Sequence, residues 1–227
     1  MKRFFAFTLA ETLIVMGIIG IVSALTLPNL NSSTGEKEKV AKVKKIYQNL
    51  NDAYGRATAI YGQFDEWFKT DNTYALQATR FGERMTEFMK VSKTCGLDIN
   101  KGCFSAGPLL EYDGSVFDEG VYNNDKMTDY YKIITADGTS IAFTSYNTSY
   151  AIYVDIDGPN KGKNRIGEDR FTFDVDNSGV YPHCSNCTEK TGAFEYYDTY
   201  VWVIMNDNMD YLKCADKLNW QTKTSCK

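Results

Sequence analysis

Histidine occurs once, at His183, and proline only four times. No cysteine precedes residue 90, and from Phe7 to Leu27 the only charged residue is Glu11. Each scarcity excludes something. A single histidine leaves little room for histidine-based metal or acid–base chemistry. Few prolines, with 16 Tyr and 13 Phe, argue against a disordered chain and for a sheet-rich globular domain. The net charge of −4, with basic and acidic residues interspersed, provides no basic stripe, so no nucleic-acid partner is evident. No internal repeat or low-complexity tract is visible. Gly158 to Lys163 is too short for a phosphate-binding loop and lacks the following Ser or Thr. There is no nucleophile elbow, and none of the acidic pairs stands out, so the expectation is that the chain is not an enzyme.

What is present begins with the N-terminus, MKRFFAFTLAETLIVMGIIGIVSALTL. Lys2 and Arg3 precede an apolar run that, as a helix, would span roughly 30 Å, the thickness of a bilayer core. Basic residues ahead of the run place the leader inside the cell and the bulk of the chain outside. A plain membrane anchor explains the length but not Glu11. A secretory signal peptide cut after Val22-Ser23-Ala24 is also possible, although an acidic residue early in its apolar stretch is unexpected. A carboxylate in an apolar helix is tolerated best near the helix start and calls for a partner.

Ala6-Phe7-Thr8-Leu9-Ala10-Glu11 resembles the prepilin processing motif of the type IV pilins and type II secretion pseudopilins. The resemblance covers about 25 residues, within the extent of an apolar anchor. It implies cleavage between Ala6 and Phe7, methylation of the new N-terminus, and Glu11 as an assembly residue paired with the terminal amine of a neighbouring subunit. Gly17, Gly20 and Pro28 fall where related pilins bracket a helix segment that melts on assembly; glycine and proline weaken a helix locally. Ala6 stands where glycine is usual, and Ala10 and Thr12 flank Glu11 where larger apolar residues are common. The implied partners are other pilin or pseudopilin subunits, a prepilin peptidase, an inner-membrane assembly platform and the membrane itself. The implied location is the inner membrane, crossed once, with the C-terminal domain outside the cytoplasm.

Beyond a polar break at Asn29 to Gly35, Glu36 to Phe64 reads as an amphipathic helix. Val40, Val43, Tyr47, Leu50, Tyr54, Ala57 and Tyr61 form its apolar stripe. Five lysines between Lys37 and Lys45 read as its solvated face. One or two short helices are expected within Tyr74 to Lys90. From Tyr131 onward strands dominate: Asp137-Gly138 predicts a hairpin between Tyr131–Thr135 and Ser140–Thr144. Alternating runs follow at Tyr150–Ile156 and Phe171–Val175, and Tyr200 to Met205 reads as a fifth strand. The expected fold class is α+β and pilin-like: one long N-terminal α-helix, half membrane and half amphipathic, packed on an antiparallel β-sheet of four to five strands. The expected division is leader 1–6, membrane or filament-core helix 7–28 and globular domain 29–227. The hairpin and Asp155-to-Phe173 pattern also resembles a group of bacterial pilin-like proteins of unassigned role.

Six cysteines in an exported domain read as disulfides, with 95–103, 184–187 and 214–226 the favoured set of several possible pairings. Cys184 and Cys187 would otherwise read as a redox pair or half of a zinc site with Cys214 and Cys226. His183 beside Cys184 is not by adjacency a catalytic pair. The loop from Asp155 to Asp169 concentrates oxygen ligands, and Asp155, Asp157, Asn160 and Asp169 are candidate calcium ligands. The competing reading is a loop bonded to its own backbone. Asp174 to Gly179 starts like an EF-hand, but its twelfth position is Ser185, not Glu, so a turn is expected. Tyr196, Tyr197 and Tyr200 could serve adhesion, with packing the better expectation. The expected function is structural, as a filament subunit; the alternative is an exported soluble binding protein with a cleaved signal peptide.

Overall fold

A computed structural model describes residues 9–117, 127–146, 149–184, 191–195 and 198–227; the side chains of 11 and 22–34 fall outside the description. The expectations for Ala6, Phe7, Cys187, Tyr196, Tyr197 and the Glu11 side chain therefore lie outside the described residues. The chain divides into two compact units, Met1–Glu38 and Lys39–Lys227.

The first element, α1, covers Leu9–Tyr61. Two expectations are corrected here. Pro28 and the polar stretch Asn29 to Gly35 lie within α1 and do not end it. A proline there forgoes one backbone hydrogen bond without terminating the element. Moreover, among the described residues no helix is both long enough and apolar enough to cross a membrane. Glu11 and Thr12 lie in the first turn of α1, and the described apolar run that follows, 13–21, is shorter than the roughly 20 residues a crossing needs. A helix with a membrane half, and a single-pass inner-membrane location, are thus not what the structure supports.

Within the second unit, α1 buries Val40, Val43, Ile46, Leu50, Ala53 and Ala57, spaced by three and four as a helix buried on one face requires. These residues share one core with the sheet residues Ile133, Ile141, Phe143, Ile152, Phe171 and Phe173. The lysines opposite are not simply solvated. Lys39 pairs with Asp157 and Glu168, Lys44 with Asp207, and Lys45 with Asp137. A turn of 3-10 helix at Phe64–Phe68 and α2 at Tyr74–Thr86 close one end of the core. Phe64 is the hub of an aromatic cluster, with ring centroids 5.0 Å from Trp67, 5.1 Å from Phe81 and 5.0 Å from Tyr150. Thr73 caps α2, its hydroxyl accepting the Leu76 amide at 3.2 Å.

The sheet has six strands rather than four or five: β1 Val91–Gly96, β2 Tyr131–Thr135, β3 Ser140–Tyr146, β4 Ser149–Asp155, β5 Arg170–Asp176 and β6 Gly179–Pro182. They run in sequence order and every pairing is antiparallel. The Asp137-Gly138 hairpin forms as expected, with Gly138 at φ +85 and the Thr135 hydroxyl donating to Asp137 at 2.6 Å. The two unforeseen strands lie at the sheet edges. In β1, Ser92, Lys93 and Thr94 are exposed and the register shifts twice, so no alternation marks it.

Tyr200 to Met205 is not a strand. It belongs to α3, Thr199–Asn206, in which Tyr200, Val201, Trp202 and Val203 are all buried. A short apolar run buried on every side carries no period that separates helix from strand. α4, Tyr211–Cys214, follows, and the Tyr211 hydroxyl donates to Gly167 O.

Candidate functional site

Two features bear on function. One is the described apolar part of α1 in the first unit. Leu9, Leu13, Ile14, Val15, Met16, Ile18, Ile19 and Ile21 are exposed, with relative exposures from 54% to 81%. A run of large aliphatic side chains left uncovered marks an interaction surface, since a monomer rarely exposes so many contiguous apolar groups. Gly17 and Gly20 sit in the same stretch with open space where a side chain would be. Nothing in the helix itself thus prevents close approach of another backbone there.

The other feature is the loop between β4 and β5, where the acidic residues cluster. Asp155 and Asp169 are fully buried. The Asp169 carboxylate accepts the backbone amides of Lys163, Asn164 and Arg165, which wraps the loop around it. Gly162, at φ +80, is needed for this wrap: a Cβ there would stand 2.2 Å from Asp169 Oδ2. Asp155 Oδ1 accepts the amides of Asp157 at 3.1 Å and Gly158 at 3.0 Å. Its Oδ2 faces Arg170 Nε at 3.3 Å, close enough for an ion pair but off-line for a hydrogen bond. Arg170 is held further by donating to Asn164 Oδ1 at 2.9 Å and by lying over the Phe104 ring.

Burial raises the Asp155 pKa to about 7, against the pull of Arg170. Burial raises Asp169 as well, and it lowers Arg170. Around this buried centre runs a half-exposed ring of charges. Lys39 of α1 reaches Asp157 at 3.4 Å and Glu168 at 3.2 Å, and Arg165 reaches Glu168 at 3.2 Å. Burial works against charge on Glu168, but Lys39 and Lys163 outweigh it and hold its pKa low. Burial likewise works against charge on Lys39, and Glu168 and Asp157 outweigh it.

The four calcium candidates are not brought together as a cage. Asn160 is exposed at the loop tip, Asp157 faces Lys39, Asp169 is occupied by three amides, and Asp155 faces a guanidinium. Among the described residues no group of three or more His, Cys, Asp or Glu is placed to hold a metal ion. A dication would have to displace the backbone amides from Asp169 and meet the charge of Arg170. Arg165, Glu168, Arg170 and Lys39 are the partners that sequence reasoning missed. The alternation of basic and acidic residues from Lys163 to Arg170 was a signal for a charge network; the reach of Lys39 across the fold was not visible.

Cys95 is bonded to Cys103 and Cys214 to Cys226. Cys184 is also disulfide-bonded, so it offers no thiolate to His183, and no described cysteine is free. His183 Nδ1 instead lies 2.9 Å from Asp174 Oδ2. The half EF-hand is a turn: Asp176 accepts the Ser178 amide at 2.7 Å and the Tyr181 hydroxyl at 3.0 Å. Tyr200 is buried, with its ring near Phe171 and His183.

A second unforeseen group is Lys132, whose side chain is fully buried, with Asp98 and Asp129 acting on it and no ion pair to it among the described residues. Its ammonium donates to Leu97 O at 3.1 Å, Met127 O at 2.6 Å and Tyr130 O at 2.9 Å. Burial pushes its pKa down to about 8. The three carbonyls come from the Cys95–Cys103 loop and the segment entering β2, so Lys132 ties the disulfide loop to the sheet.

No family model, no curated protein and no solved structure matches the chain.

Proposed function

We propose that the chain is a structural subunit of a type IV pilus-like or type II secretion pseudopilus-like filament, matured by a prepilin peptidase between Ala6 and Phe7. The observation that carries this reading is the exposed aliphatic surface from Leu9 to Ile21. Burying one large aliphatic side chain is worth about 1.5–3 kcal/mol, so covering most of this surface with the same stretch of neighbouring copies supplies a strong drive to assemble. Glu11 would then meet the terminal amine of the next subunit and set the register, the role its place in the motif implies. The disulfides of the second unit fit passage through an oxidising compartment.

The full-length chain with Ile14→Asp and Ile18→Asp together tests this. These two positions lie one helical turn apart and both are exposed, so the fold of the second unit should keep its disulfides and near-ultraviolet circular dichroism. Sedimentation should show large assemblies for the native chain and none for the variant. Equal assembly by both would remove the apolar surface from the account.

A further inference from the structure

A cavity of about 380 Å³ opens between α1 and the β2–β3 hairpin, roofed by the segment joining α2 to β1. Its volume falls in the range of small-molecule sites. The walls divide by chemistry. Ile46 and Ile141 are core residues, and Met89 packs against them, which makes one side aliphatic. The rim carries Lys45, Arg56 and Lys90 against Asp52 and Asp137, one positive charge in excess. Arg56 pairs with Asp52 at 3.6 Å on an exposed surface, a contact weak enough to yield to a ligand. Lys90 has no acidic partner among the described residues.

We propose that this cavity binds a small amphipathic carboxylate, its aliphatic body over Ile46, Met89 and Ile141 and its carboxylate at Lys90 on the rim, with Arg56 beside it. A neutral ligand would leave the Lys90 ammonium unanswered, since Arg56 and Lys45 already face Asp52 and Asp137, and a cation would add to the excess positive charge. A compact anion such as phosphate would leave the apolar floor wet.

The test titrates the full-length chain, labelled at isoleucine and methionine methyl groups, with octanoate and with octanol followed by NMR. Octanoate should shift the methyl signals of Ile46, Met89 and Ile141 saturably, with octanol weaker by about tenfold, the worth of a charge-assisted bond. Lys90→Gln, at an exposed position, should weaken octanoate by about threefold and leave octanol unchanged. Met89→Trp, which fills the cavity, should abolish both. Saturation confined to the isoleucines between Ile14 and Ile21 would mean that the ligand coats the exposed helix, and would overturn the proposal. Equal affinity for octanoate and octanol, insensitive to Lys90→Gln, or no saturable shift at all, would overturn it too.

Discussion

Asp155→Ala should lower the unfolding free energy of the full-length chain at pH 7 by about 3–5 kcal/mol, the cost of leaving a buried charge without its partner. The substitution removes the carboxylate facing Arg170 and the acceptor for the Asp157 and Gly158 amides, all in a buried setting. Asp155→Asn keeps an acceptor of similar shape and should cost less. The pair also reads out the pKa. Burial raises Asp155 from 3.8 to about 7, so between these values the folded chain holds a proton that the unfolded chain releases. Its contribution is complete below pH 4 and is lost as pH rises through 7. Glu168, Asp137 and Asp176 have lowered pKa values and act in the opposite sense, stabilising above pH 4 and losing that contribution as pH falls. The difference between native chain and Asp155→Asn cancels those shared terms. Denaturant titrations should therefore show the native chain losing ground to Asp155→Asn between pH 4 and pH 7. A difference that does not change with pH, or one that grows in favour of the native chain, would show Asp155 to be ionised throughout.

Phe64→Ala should be at least as damaging, at about 3–5 kcal/mol. Phe64 is buried, and its ring meets Trp67, Phe68, Phe81 and Tyr150, side chains from the 3-10 turn, α2 and β4. Four rigid rings cannot collapse together into the space of a fifth, so a cavity remains. Phe64→Leu should recover more than half of the loss. A midpoint shift for Phe64→Ala no larger than that of an exposed substitution such as Ile60→Ala would show that the cluster is not the pin between helix and sheet.

The contrast between these two sites shows which parts of the chain were legible. The helix stripe Val40, Val43, Leu50 and Ala57 could be read because its period is imposed by a single buried face, and the β2–β3 hairpin because Asp137-Gly138 admits few other conformations. β1 could not, because an exposed edge strand with two register shifts has no alternation to display. Burial on all sides erases the period of α3, so that it reads as a strand, and the apolar run leads one to expect a membrane half of α1, whereas among the described residues no helix is long and apolar enough to cross. The Asp155 loop was recognised as an acidic, glycine-shaped segment. Its real organiser, Arg170, counts in sequence as one more basic residue at the start of a strand. The backbone amides that fill Asp169 leave no mark in sequence at all.

The cleavage position bears most directly on the filament reading, because the surface invoked lies wholly between Leu9 and Ile21. N-terminal sequencing of the mature protein, isolated from its native host, should begin at Phe7, with a methylated amine, and so retain that surface in full. A mature chain beginning at Leu25 would have discarded every residue of it and would contradict the account, leaving an exported disulfide-bonded binding protein in its place.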